Sequence, residues 1–221
     1  MIQKPTPTIE DYLGVIYTLN RDGEKVIGAR LSELLDVSPP TVTVTLKRMH
    51  RDNWITIDHK KQIHLTPTGM AAAISVIRRH MLTEWLLSRV LNIPWSELHE
   101  EADKLEHSIS KDVEDRLIST LEDPTACPHG NPMPGQEAIS SSWHALTSFS
   151  PGTTCIIKRI HEWLESDPSM MKLLENNLIL PGNVAKIISI SPEKETINLA
   201  VNNKTSQLIF AVAEKIFAIA L

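Results

Sequence analysis

The sequence predicts an α+β chain of more than one domain, on three observations. Apolar residues recur at helical spacing through most of the first 120 or so residues, interrupted by one short alternating segment. Beyond about residue 140 the texture changes to short alternating runs separated by turn dipeptides. A length of 221 residues suits two modest domains better than one.

Composition narrows the class further. Hydrophobic residues make up 42% and charged residues 22%, an ordinary balance with enough apolar material for a core. No apolar run approaches the ~20 residues of a membrane span, and MIQKPTPTIED lacks the apolar stretch of a leader, so no membrane partner is expected. Two cysteines, Cys127 and Cys155, make no disulfide framework, and a reduced, cytoplasmic setting is expected. The formal net charge of −5 excludes a generic polyanion binder, so contact with nucleic acid must come from a local basic patch.

Taken in order, residues 7–22 form a predicted helix, with Tyr12, Leu13, Ile16, Tyr17 and Leu19 at helical spacing and Pro7 in its first turn. Gly23 ends it. A short helix is expected over 29–35, then a turn at Asp36-Val37-Ser38. Ser38 caps a third helix that opens on Pro39-Pro40 and reaches about Asp52. Trp54–Ile57 and Ile63–Leu65 flank a polar HKKQ turn and read as a hairpin. Thr66-Pro67 starts a long helix to about Val90, with Ala71, Ile74, Ile77, Met81, Trp85 and Leu86 on its apolar side. A helix over 94–108 follows, and Ser110 caps another carrying Val113, Leu117, Ile118 and Leu121. Residues 122–136, including CPHGNPMPG, form a Pro/Gly-dense loop. Strands are expected at 155–157, 184–190, 196–201 and 207–212, with a helix near 169–176 and turns at Pro181-Gly182 and Asn202-Asn203. Several short strands in so short a stretch suggest a small β-barrel resembling an SH3 fold.

Helix, short helix, turn, helix and hairpin is the order of a winged helix-turn-helix. The recognition helix would then be Pro39–Asp52, with Lys47, Arg48 and Arg51 in its C-terminal half and Lys60 and Lys61 at the wing tip. Those cations suit phosphate contacts, which position a protein on DNA without reading sequence. Ser38, Pro39, Pro40, Thr41, Thr43 and Val44 stand at the helix start, where none can make a bidentate pair with guanine or adenine. Base reading would rest on thymine methyls, threonine hydroxyls and DNA shape. The bland alternative is a three-helix core with an ordinary solvated basic face.

The stretch His99–His107, HEEADKLEH, carries the chemistry. On a helix, His99, Asp103, Glu106 and His107 form one polar stripe beside an apolar stripe of Leu98, Ala102, Leu105 and Ile109. Carboxylates and imidazoles at the edge of a buried face repel one another or lose solvation unless a cation sits among them, and a divalent metal answers that need. Asp11, on the first helix, can complete this set, or it can help cap its own helix after Thr8. His80 and Glu84 share a face, and His99 can join them; read otherwise, they are an exposed i,i+4 pair worth ~0.3–0.5 kcal/mol. Cys127 and His129 form a Cys-x-His pair, or a buried thiol and a loop residue, while Cys155 in its apolar strand reads as core.

Asp11-Tyr-Leu-x-x-Ile-Tyr, the 38–51 helix, Leu65-Thr-Pro-Thr-Gly, His80-x-x-x-Glu84, His99-x-Glu-Ala-x-x-x-Glu-His107 and Gly130-Asn-Pro appear in the order and spacing of one family. Over its first ~140 residues the chain resembles the metal-dependent repressors of the diphtheria toxin repressor family, and the remainder resembles that family's SH3-like, ferrous transport A-like domain more loosely. The resemblance implies a DNA-binding domain over 1–66, a helical metal-binding and dimerisation domain over 67–140, and an SH3-like domain over 141–221. It implies a primary, activating metal site of Asp11, Asp103, Glu106 and His107, and an ancillary site with His80, Glu84 and His99. Iron-sensing members carry Met and Cys where this chain has Asp11 and Asp103; oxygen ligands suit Mn²⁺ without excluding Fe²⁺. Manganese sensors often have a Glu where this chain has Gly14. Other manganese-responsive members use a Glu, a loop Cys and His, and an Asp from the C-terminal domain, which points to Glu84, Cys127, His129 and Asp167, with His80 and His99 as ligands or supports.

The resemblance implies a repressor with two Mn²⁺ or Fe²⁺ sites per subunit that grips double-stranded operator DNA as a homodimer. Two rival classes are a metal-binding protein without DNA regulation and a di-metal carboxylate enzyme. The enzyme class needs Glu-x-x-His on two helices, whereas Asp-x-x-Glu-His occurs here once.

Overall fold

The computed structural model describes residues 4–221. The three residues before Lys4, which the leader expectation and the first domain boundary include, lie outside the described residues. The chain divides into two compact units, one ending at Arg79 and the other running from His80 to Leu221.

The first unit is built from α1 (Pro7–Arg21), α2 (Gly28–Leu34), α3 (Pro39–Arg51), the antiparallel hairpin of β1 (Ile55–Ile57) and β2 (Ile63–Leu65), and the first half of α4 (Pro67–Arg89). Leu13, Ile16, Leu19, Leu31, Val42, Met49, Trp54 and Ile63 are buried and form its core. The expected cap is present: Ser38 Oγ accepts from Thr41 N at the start of α3. Thr66 does the same for α4, accepting from Gly69 N at 3.0 Å while donating to the Asn53 carbonyl at 2.7 Å. Gly69 permits that close seat, because a Cβ there would lie 1.9 Å from the Trp54 carbonyl oxygen. A buried Arg79–Glu10 pair, 2.8 Å, ties α4 to α1.

The second unit holds the rest of α4, α5 (Leu98–Leu105), α6 (Lys111–Thr120), and a sheet domain with α7 (Glu162–Glu165), α8 (Pro168–Asn176) and α9 (Phe210–Ala213). The strands are β3 (His144–Ala145), β4 (Thr154–Ile160), β5 (Val184–Ser191), β6 (Thr196–Val201), β7 (Lys204–Ile209) and β8 (Ile216–Ala220). They pair antiparallel in the order β3-β8-β4-β5-β6-β7. This corrects the expected barrel: the sheet is open, with β3 and β7 at its edges, and β3 spans only two residues. Ile157, Ile160, Met171, Leu174, Ile187, Ile197, Leu199 and Ile216 line the core of this domain.

Three local expectations change. The strand expected over 207–212 begins earlier, because Asn202 and Asn203 both take positive φ and make a two-residue turn that starts β7 at Lys204. The apolar run after it closes into the short α9, a choice that periodicity cannot make for so short a segment. The helix expected over 94–108 is broken: α5 ends at Leu105, and Glu106–Ser108 form a 3₁₀ turn. That tighter turn rotates Glu106 inward, 7% exposed, and leaves Leu105 outside the apolar stripe, 42% exposed.

Candidate metal centre

The His80–Arg89 half of α4 contributes His80 and Glu84, one turn apart on one face. His99 and Asp103 on α5, and Glu106 on the 3₁₀ turn that follows it, face His80. His80 Nδ1 lies 2.7 Å from Glu106 Oε2 and 3.2 Å from Asp103 Oδ1, while its Nε2 lies 3.2 Å from Glu84 Oε1 and 3.0 Å from His99 Nδ1. The reading of His80 and Glu84 as an exposed pair therefore does not hold, because Glu84 is 0% exposed.

The 126–132 loop brings the next two groups. Trp85 Nε1 donates to the Ala126 carbonyl at 2.8 Å and Trp95 Nε1 to the Pro128 carbonyl at 3.1 Å, so two indoles hold the peptides flanking Cys127. His129 is also 0% exposed, with Nδ1 3.0 Å from Glu84 Oε1 and Nε2 3.1 Å from the Trp95 carbonyl. The Cys127 thiol joins Glu84 and His129 in a compact buried trio.

The sheet domain supplies a carboxylate that sequence reasoning missed. Glu165, at the end of α7, places Oε2 3.1 Å from His99 Nδ1 and 3.5 Å from His129 Nδ1. Asp167, the expected ligand from this region, is instead the N-cap of α8, where its carboxylate accepts from Ser169 N and Met170 N at 3.0 Å. A carboxylate just before a Pro-initiated helix is drawn to that helix's free N–H groups. The available signal for Glu165 was that HEWLESD carries Glu162 and Glu165 besides Asp167, on a segment too short to show a face.

The arrangement has one directional logic. The Trp95 carbonyl can only accept, so His129 Nε2 donates to it and Nδ1 points at Glu84 and Glu165. His80 Nδ1 faces Glu106 and Asp103, and His99 Nε2 faces Asp103 at 3.7 Å. His80 and His129 thus each have one nitrogen held by an acceptor, with Asp103 near the far nitrogen of His99, while His80 Nε2, His99 Nδ1 and His129 Nδ1 converge on Glu84 and Glu165. Acceptors behind metal-binding histidines fix their ring orientation and tautomer in this way. Glu84 Oε2 is buried with no hydrogen-bond partner, a costly state that a cation relieves. Nitrogen, oxygen and sulfur donors at these separations fit a divalent transition metal.

The electrostatics agree. Burial disfavours charge on His80, but hydrogen bonds to Asp103, Glu106 and Glu84 outweigh it and raise its pKa well above the ordinary value. His99 is pushed up to about 10 by Glu165 and Glu84 against the same burial, and His129 to about 8 by the charges of Glu165 and Glu84. Burial alone would raise Glu84, yet the charge and hydrogen bonds of the surrounding histidines hold it well below the carboxylate range. Burial, reinforced by Glu84 and Glu165, pushes the Cys127 thiol well up. Protons on the imidazoles thus occupy the role that a cation would fill. His107 lies at the rim, its Nε2 3.8 Å from Glu106 Oε1, and Cys155 is buried in β4 as expected.

On the first unit, Ser38 at the cap and Pro39, Pro40, Thr41, Thr43, Val44, Lys47, Arg48 and Arg51 on α3 are exposed, while Val42, Leu46 and Met49 are buried. Val44 is 69% exposed, and Thr43 donates its hydroxyl to the Pro39 carbonyl at 3.0 Å. Two of the cations are partly committed: Arg51 makes a two-pronged pair with Asp52 at 2.7 and 3.0 Å, and Arg48 lies 3.8 Å from the same carboxylate. Lys60 and Lys61 are exposed at the wing tip, which Asp58 shapes by accepting from Lys60 N and Gln62 N.

A winged DNA-binding fold on the same chain as a buried imidazole–carboxylate cluster defines a metal-sensing regulator of transcription. Residues 4–63 match the family profile described as "Iron dependent repressor, N-terminal DNA binding domain", residues 66–135 that of the "metal binding and dimerisation domain", and residues 144–219 the FeoA domain. The iron-dependent repressor IdeR of Mycobacterium leprae is 36% identical over 196 residues, 84% of this chain and 85% of that protein. The diphtheria toxin repressor of Corynebacterium efficiens is 41% identical over 191 residues, covering 82% and 83% respectively. A manganese-dependent transcriptional repressor solved in complex with manganese superposes with a TM-score of 0.84 at 28% identity, covering 96% of this chain and all of that one. The chain belongs to the diphtheria toxin repressor family of iron- and manganese-dependent transcriptional repressors. Its relatives are repressors and not enzymes, which removes the di-metal enzyme alternative. Among the described residues, no helix is long and apolar enough to cross a membrane.

Proposed function

We propose that this protein represses genes of manganese or iron homeostasis, gripping double-stranded operator DNA in the cytoplasm as a homodimer when Mn²⁺ or Fe²⁺ is bound. The working division is a DNA-binding segment over 1–66, a metal-binding and dimerisation segment over 67–140, and an SH3-like segment over 141–221. The observation that carries the metal dependence is the convergence of three imidazole nitrogens on Glu84 and Glu165, with the His80 and His129 rings held from behind by acceptors.

Two sites per subunit follow from the donors. The ancillary site draws on His80, Glu84, His99, His129 and Glu165, with Cys127 beside them. The primary site draws on Asp103, Glu106 and His107, joined by Asp11 from α1. A divalent cation there supplies positive charge where carboxylates of two helical elements would otherwise repel one another. In a dimer, binding DNA requires that two α3 helices reach half-sites ~34–36 Å apart. Carrying the population from mostly inactive to mostly active requires a preference of ~5.5 kcal/mol for the DNA-competent arrangement. Val90, Leu91, Leu105 and Val113, exposed on and after α4, α5 and α6, suit the dimer contact. Ser38–Val44 and Lys47 would face the groove and its phosphates, with Lys60 and Lys61 on the flanking backbone.

The test is duplex binding with and without Mn²⁺, Fe²⁺, Co²⁺ and Zn²⁺, for the wild type and Asp103→Ala. Metal-stimulated binding in the wild type that Asp103→Ala abolishes is expected. Equal affinity in chelator and in metal refutes the reading.

A further inference from the structure

Glu165 reaches the cluster from the sheet domain, and it is not held there by its own helix. One of its oxygens, Oε2, faces His99 and His129. The other, Oε1, accepts from Asn131 Nδ2 at 2.5 Å. The same amide nitrogen donates to the Ile160 carbonyl at 2.8 Å, and the Asn131 carbonyl oxygen accepts from Arg159 Nε at 2.5 Å. Arg159 in turn reaches Glu162 through Nη2 at 2.9 Å. Asn131, Arg159 and Glu165 are all buried, Asn131 completely.

The backbone around this relay is built for close approach. β4 pairs with β5 only as far as Ile156, and beyond that point the 127–131 loop takes over its edge, with Ile160 N donating to the His129 carbonyl at 2.8 Å. β4 has an irregularity between Ile157 and Arg159, and there Gly130, at φ +87°, seats so tightly that a Cβ would lie 1.9 Å from the Lys158 carbonyl oxygen. The loop that carries Cys127 and His129 and the strand that leads to Glu165 are thereby one assembly, with Asn131 at its centre.

We propose that Asn131 and Arg159 are positioning residues for the ancillary ion: Asn131, oriented by Arg159, holds Glu165 as a single-oxygen donor aimed between His99 and His129. This rests on the ancillary site proposed above and adds what sets its geometry. The amide is oriented without ambiguity, because a guanidinium N–H can only donate and so fixes the Asn131 oxygen toward Arg159 and its N–H groups toward Glu165 and Ile160. With Oε1 engaged, Glu165 is kept from gripping an ion with both oxygens. That holds down the oxygen count and disfavours large, oxygen-seeking cations such as Ca²⁺.

The experiment uses the full chain, with Co²⁺ as spectroscopic probe and Mn²⁺ for affinity. Asn131→Asp keeps the shape and the acceptor for Arg159 but sets a carboxylate against Glu165. Glu165→Gln combined with it reverses the polarity: the amide introduced at position 165 donates to the carboxylate introduced at position 131, and its carbonyl oxygen faces His99 and His129. Both the single and the double variant lose the bond to the Ile160 carbonyl, so a merely structural role for Asn131 yields no recovery. The relay predicts that Asn131→Asp weakens the ancillary ion by about tenfold or more. It also predicts that the double variant binds more tightly than the two single losses combined imply, with the Co²⁺ d–d spectrum returning toward wild type. Additive losses, or an unaltered spectrum and affinity in Asn131→Asp, overturn the relay. Should Asn131→Asp fail to fold, Arg159→Lys replaces it, with a weaker ion and a shifted Co²⁺ spectrum expected and an unaltered one refuting. Glu84→Ala is the control for the site itself. If it removes no ion, the ancillary site and the relay both fall; if it removes one while Asn131→Asp changes nothing, only the relay falls.

Discussion

Metal binding at the ancillary cluster should release about three protons per ion near neutral pH, one from each imidazole donor. The donors His80 Nε2, His99 Nδ1 and His129 Nδ1 face carboxylates that keep the imidazoles protonated, His99 to about 10, His129 to about 8 and His80 well above its usual range. Glu84, held well below the carboxylate range, has no proton to give. A cation must therefore displace one proton from each ring, and each displaced proton makes apparent affinity rise about tenfold per pH unit. Below about pH 8 the slope should approach three, falling toward two between about 8 and 10 as His129 deprotonates by itself. A fourth proton appears if the Cys127 thiol is also displaced. The assay is calorimetry in buffers of different ionisation enthalpy, with the difference between wild type and Glu84→Ala isolating this site from the primary one. The same shifts set a sign for the chelated protein. Each raised imidazole contributes stability that is fully present below about pH 6.5 and is lost as pH rises through about 8 for His129 and about 10 for His99. For His129 the shift from 6.5 corresponds to about 2 kcal/mol. Release of one proton or none, or a chelated protein that gains stability from about pH 6.5 to 10, refutes the assignment of these nitrogens.

Two further outcomes probe the DNA-binding unit. Replacing Lys60 and Lys61 together with alanine should weaken duplex binding at every sequence alike and reduce the salt slope by ~2, since each phosphate contact contributes ~0.9. An unchanged slope would place the wing away from the backbone. Gly69→Ala ordinarily favours a helix by ~1 kcal/mol. Here the new methyl meets the Trp54 carbonyl oxygen, a backbone atom that cannot swing aside, and overpacking of this kind costs ~1–3 kcal/mol. Net destabilisation in thermal unfolding is expected, and a stabilised variant contradicts the seat assigned to α4.

Much of the protein was legible from short-range pattern. Ser38 before Pro39-Pro40 specified a cap and a helix start, and the apolar spacing of Val42, Leu46 and Met49 left the polar and basic face of α3 outward, as the structure has it. His80 and Glu84 one turn apart, and His99 and Asp103 likewise, were readable as shared faces because helical geometry relates residues three and four apart. Periodicity does not reach across the chain. That Glu84 meets His129, 45 residues on, and that Asn131 meets Glu165 across 34 residues, depends on how α4, the 126–132 loop and β4 dock. Two local decisions also belonged to tertiary packing. The 3₁₀ turn after Leu105 directs Glu106 to His80 and leaves Leu105 exposed, and Asp167 serves the α8 N-terminus while Glu165 enters the cluster. The sequence by itself determined the helices, their caps and the residue types able to hold a cation. The docking of distant segments decided which of those residues share one buried volume, because desolvation and hydrogen-bond partnership arise only where segments meet.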